Sequence, residues 1–229
     1  MIDIDQLKLY NKEKEKYLCQ IPPKGGRYFI LNTRTSGLNK EDLIMDLGVL
    51  EMENGNVNPI EKQAYIHCAY LKEGKLVHKP GINNKYIKGD DYKFFYSDKD
   101  NLEHIAEEIN NSIIFAHNAV FHMNTLNREL NFWGIKEIPF EKFRCSMKIF
   151  LNIIGKIDPS MENQNYISLE KCVEYFGDEM DKDEEMYQRS LYDSSMIASV
   201  INNLYKVIFL MENMPNSMRR ITRRMIKFI

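Results

Sequence analysis

The chain has 229 residues, a formal net charge of −2, 44% hydrophobic residues and 11% aromatic residues. That is enough apolar material for one packed domain with extensions; it excludes global disorder and lacks the overall basic footprint of many nucleic-acid binders. Cys19, Cys68, Cys145 and Cys172 stand far apart with no C-x-x-C pair. They suggest neither a zinc cluster nor a disulfide framework, and they point to a reducing compartment. The first residues, MIDIDQLKLYNKEKEKY, have no apolar core of signal-peptide length, and no uninterrupted apolar run would span a bilayer. Cytoplasm, or nucleus, is the expectation, without membrane contact.

Residues 1–26 form a polar extension ending in the breaker cluster Pro22-Pro23-Lys24-Gly25-Gly26. Three strands are expected next, at 27–32, 43–52 and 63–71, with Gly37 in the first turn and 53–59 as a hairpin connection. Residues 72–98 read as a long irregular connection. A helix over 98–110 carries the stripe Leu102, Ile105, Ala106 and Ile109, followed by a short buried strand at 112–116 and a second helix over 118–133. A short strand at 144–146 leads into a helix from Met147. The next helix, 167–176, is entered by Ser168 with Lys171 three residues on, so only half a capping box is present.

Residues 178–185 hold six acids and one lysine and read as a solvated loop. A long helix over 186–212 has Met186, Ile197, Ile201, Leu204, Ile208 and Met211 as its core stripe, and a basic helix over 218–228 closes the chain. The expected organisation is an extension (1–26), one α/β domain built around a mixed sheet (27–212) and a basic terminal helix (213–229).

Four strings carry chemical information. Residues 28–38 read YFILNTRTSGL after the breaker cluster, and residues 113–130 read IIFAHNAVFHMNTLNREL. Residues 143–147 read FRCSM, and 187–198 read YQRSLYDSSMIA after Ser168-Leu169. In this order and spacing they resemble the DEDDh family of 3′–5′ exonucleases over roughly residues 27–210. That family has D-x-E-T-T/S-G-L after its first strand, A-H-N-A-x-F-D before a helix with E-L, and H-R-A-L-x-D-A near its end. The resemblance implies a ribonuclease-H-like five-stranded mixed sheet flanked by helices. It also implies that Asn32, Arg34 and His122 stand where metal-binding acids belong, that Gln188 stands where the general base belongs, and that Asp193 is the retained acid.

Two-metal phosphoryl chemistry needs a pair of Mg²⁺ or Mn²⁺ ions ~3.5–4 Å apart, held mainly by carboxylates. Asn32 offers only a neutral oxygen, Arg34 carries a permanent positive charge, His122 suits Mg²⁺ poorly, and Gln188 has no useful pKa. The substitutions therefore predict a pseudoenzyme with no metal and no cofactor. Zinc held by His117 and His122 is rejected because i, i+5 spacing does not share one helical face.

Arg34 has two readings. It pairs with Asp193 as an internal substitute for metal, or its planar fork binds a phosphate. His117 and Asn118, at a helix start, either bond local backbone or meet a ligand. The terminal Arg220, Arg223, Arg224 and Lys227 either solvate a packed helix or contact nucleic acid or a protein partner. Aromatic and basic residues interleave at Tyr86–Tyr96, where stacking and packing are indistinguishable. The expected function is single-stranded RNA or DNA binding by Arg34, His117, Asn118, Arg189, Arg220, Arg223, Arg224 and Lys227. The alternative is an adaptor for a protein of a replication or RNA-processing complex, and a homodimer is an option carried over from relatives.

Overall fold

The computed structural model describes residues 16–35, 44–53, 56–59, 69–72, 75–78, 99–178 and 190–213. Its centre is a five-stranded sheet built on β1 (Arg27–Thr35), which pairs antiparallel with β2 (Ile44–Glu53). Outside β2 lies β3 (Asn56–Pro59), again antiparallel. On its other edge β1 pairs in parallel with β6 (Ile113–Ala116), and β6 with β7 (Phe143–Cys145). The spatial order is β3-β2-β1-β6-β7, a mixed sheet flanked by helices, and the fold is ribonuclease-H-like.

Phe29, Ile30 and Leu31 are all fully buried, so β1 shows a continuous apolar run instead of alternation. A strand covered on both faces needs that pattern. Each of these side chains contributes ~1.5–3 kcal/mol by leaving water. The covering helices are α1 (Lys99–Asn110), α2 (Ala119–Phe132), α3 (Ser146–Ile154), α4 (Leu169–Phe176) and α5 (Ser190–Asn213). Leu102, Ile105, Ala106 and Ile109 are the buried stripe of α1, as their spacing indicates. Ser168 caps α4 by accepting from the Lys171 N–H at 3.4 Å, and Gly177 ends it in the left-handed conformation, φ 82°.

Helix α5 packs across β2 and β1 and buries Ile197, Ile201 and Leu204, with Ile208 and Met211 partly buried against the same core. Its length and apolar composition would also suit a membrane span, but half of that window is buried inside the fold. It is the domain's core helix.

The third strand differs from expectation. The residues that extend the main sheet are Asn56–Pro59, inside the stretch expected to be a hairpin connection. Among the described residues, β4 (Ala69–Lys72) and β5 (Lys75–His78) pair with each other in a separate two-stranded sheet. Of the strand expected at 63–71, the last three residues lie in this second sheet, and residues 63–68 lie outside the described residues. The connection expected over 72–98 contains β5. A four-residue edge strand ending in proline has too little periodicity to stand out from a turn. The expected helix over 218–228 and the acidic loop beyond Asp178 lie outside the described residues, as do Met186 and residues 79–98.

Candidate functional site

Strand periodicity places Asn32 and Arg34 on one face of β1, at its carboxyl end. The first turn of α5 lies over that face, because β2 opens a gap for it at Gly48, the register partner of Asn32. A Cβ on Gly48 would sit 2.4 Å from the Ser190 carbonyl carbon and 2.5 Å from the Leu191 nitrogen. Ser194 Oγ then donates to the Gly48 carbonyl at 3.1 Å. Only glycine lets helix and strand backbones approach so closely. Nothing in the run Asp46-Leu47-Gly48-Val49 signals this role, since close approach is a tertiary property.

The approach delivers Asp193 to β1. Its Oδ2 accepts from Asn32 Nδ2 at 2.8 Å, from Arg34 Nη2 at 2.9 Å and from Arg34 Nε at 3.2 Å. The Asn32 residue is buried, while the Arg34 and Asp193 side chains are 33% and 19% exposed. The internal pair expected of Arg34 and Asp193 is formed.

His122, on α2, is committed elsewhere. Its Nδ1 lies 3.1 Å from the Thr33 backbone nitrogen and 2.9 Å from Thr33 Oγ1. A backbone N–H can only donate, so Nδ1 accepts and the ring is the neutral Nε2–H tautomer. Burial, reinforced by His117, pushes the His122 pKa down to about 4, with a hydrogen bond to the His117 backbone partly opposing. The ring thus fastens β1 through Thr33, the residue between Asn32 and Arg34.

His117 Nε2 donates to the Ile167 carbonyl at 2.9 Å, and its Nδ1 meets Ser146 Oγ at 3.0 Å. Burial lowers its pKa too. Both nitrogens are used by the protein, to join the end of β6 to α3 and to the approach of α4. Asn118 is exposed, in the left-handed conformation at φ 57°, and its side chain makes no cap bond. Asparagine is among the few residues that tolerate this geometry. Of these two, Asn118 faces solvent and His117 is a joint inside the fold.

Glu129, matched by the second string but given no role there, is 2% exposed and accepts the Ile44 N–H at 3.3 Å. It ties α2 to the start of β2. Burial pushes its pKa up to about 7, against the Ile44 bond and nearby Arg128. Gln188, Arg189, Arg220, Arg223, Arg224 and Lys227 lie outside the described residues.

The donor set does not fit a two-metal centre. Among the described residues it offers one carboxylate, whose Oδ2 is already met by a guanidinium and an amide. A cation here would sit against the fixed charge of Arg34. Among the described residues no three His, Cys, Asp or Glu side chains cluster for a metal ion.

No family model matches this chain. It is 27% identical over 118 residues to a DNA polymerase III PolC-type of Pediococcus pentosaceus, which covers 51% of this chain and 8% of that protein. It is 29% identical over 143 residues to a DNA polymerase III subunit epsilon of Buchnera aphidicola, covering 60% of this chain and 57% of that one. The chain is similar to DNA polymerase III proteins. These similarities support the exonuclease-like resemblance of the four strings. In both matches the chain spans less than two thirds of its relative's length.

Proposed function

We propose that this protein is a pseudo-nuclease: an exonuclease-like domain without two-metal catalysis that holds a single-stranded nucleic acid at the carboxyl end of β1. The observation that supports this reading is the Arg34–Asp193 pair, an internal positive charge at a position where the resemblance implies a metal-binding acid. Asn32, at the same carboxylate, adds a neutral donor where the family has an acid. A third of the Arg34 side chain faces solvent, so the guanidinium can exchange Asp193 for a strand phosphate through the same fork. Exposed Asn118 adds a polar group at the neighbouring helix start. Arg189 and the terminal Arg220, Arg223, Arg224 and Lys227 supply further positive charge in this reading.

A labelled single strand incubated with Mg²⁺ or Mn²⁺ should stay intact; metal-dependent digestion lost in Asp193→Ala would refute the pseudoenzyme. Fluorescence anisotropy with the same strand should give an affinity that falls steeply with salt and weakens in Arg34→Met.

The pairing of Arg34 favours a second reading, in which the closed site is a scaffold and the partner is a protein of a nucleic-acid-processing complex. Absence of any oligonucleotide binding at low salt selects that adaptor role, and co-purification from the native host would identify the partner. Cytoplasmic location and homodimer formation are part of the same proposal.

A further inference from the structure

Arg144 lies in β7, an edge strand of the main sheet, and is 7% exposed. Its Nη1 donates to the Glu141 carbonyl at 2.6 Å and to the Phe143 carbonyl at 2.8 Å. These bonds tie the guanidinium to the turn before β7 but bring it no negative charge. Among the described residues no carboxylate reaches it, whereas Arg27, Arg34 and Arg128 each have one. Its Nε is buried and has no hydrogen-bond partner. Over the guanidinium lies the Tyr17 ring, 5.8 Å from the centroid and 39% exposed.

Burial lowers the Arg144 pKa, with Tyr17 opposing, yet a guanidinium stays charged across the usable pH range. A buried charge without a counter-ion is costly, and an unmade buried N–H adds to that cost. Both costs vanish if an oxyanion meets the Nε edge, which neither carbonyl uses.

We propose that Arg144 is an oxyanion site that takes a phosphate group side-on at its Nε edge, with Tyr17 as the movable cover. A phosphate offers several acceptor oxygens and up to two negative charges, matching a planar fork with no competing acid. Tyr17, being more than a third exposed, can swing outward without uncovering the core, which Leu18 plugs beside it at 2% exposure. The phosphate comes either from a small anion or from the end of a nucleic-acid strand. The site stands apart from the Arg34–Asp193 cluster and does not depend on the function proposed for it.

The test titrates the full chain with inorganic phosphate against chloride of equal ionic strength, reading the melting temperature and the arginine Nε–H resonances. At a tenfold excess over Kd the melting temperature should rise by roughly 3–6 °C. One Nε–H signal should shift along with it, and Arg144→Gln should remove both effects. If that variant does not fold, the wild-type resonance still decides, and Tyr17→Ala should speed its exchange between free and bound positions. A 5′-phosphorylated oligothymidylate that shifts the same resonance, where its 5′-hydroxyl counterpart does not, assigns the phosphate to a strand end. A response to inorganic phosphate alone assigns it to a small anion. No shift and no melting change with either phosphate overturns the site, whatever the cleft binds.

Discussion

Arg34 and Asp193, 159 positions apart in the chain, meet at 2.9 Å, and the same carboxylate oxygen holds Asn32. The pair is partly exposed, so its coupling is modest, about 1 kcal/mol once solvent screening is allowed for. A double-mutant cycle with Arg34→Met and Asp193→Asn, followed by urea unfolding, should return a value of that order. A coupling near zero would mean that the two charges are held independently.

His122 makes the fold acid-sensitive. Its pKa falls from 6.5 unfolded to about 4 folded, so the unfolded chain binds the extra proton first. Its contribution is complete above pH 6.5 and is lost as pH falls towards 4, amounting to about 3 kcal/mol. His122→Asn, which keeps an acceptor near the Nδ1 position for Thr33, should flatten this limb of the stability profile measured by denaturant titration.

Glu129 acts in the opposite sense. With its pKa raised from 4.5 to about 7, the folded chain binds the extra proton, and stability drains away as pH rises across that window. Glu129→Gln keeps an acceptor for the Ile44 N–H while removing the charge. It should therefore gain stability relative to wild type at pH 8 and not at pH 4, and an equal gain at both would contradict the buried-acid account.

Gly48→Ala should be costly out of proportion to one methyl group. Its Cβ would fall 2.4 Å from backbone of α5 that no side-chain rotation can relieve. We expect a loss of at least ~1–3 kcal/mol together with weaker oligonucleotide binding. Unchanged melting would show that α5 does not rest on β2 in solution.

Much of the domain was readable from local signals. The apolar run of β1, the stripe of α1 and the Ser168 cap each express a rule of one element, and each element forms within a few residues of expectation. The helix expected over 118–133 is Ala119–Phe132, and the strand at 144–146 is Phe143–Cys145. β3 was missed because an edge strand of four residues needs no alternation. In the site, Asn32, Arg34 and Asp193 were picked out by the family resemblance of their strings, and they do meet. What spacing could not give is the partner of His122, a backbone N–H, or the gap at Gly48, or the isolation of Arg144. All three depend on which surfaces the folded chain brings together.

The Thr33 clamp has one more consequence, for the paths open to this site under mutation. A carboxylate at position 122 alone would put a buried anion where a neutral ring now fastens β1. A carboxylate at position 34 alone would face Asp193 with no cation between them. Either of these two single steps therefore passes through a less stable protein, and only coordinated changes would avoid the descent. The present arrangement is locally trapped against the gain of one further acid at either position.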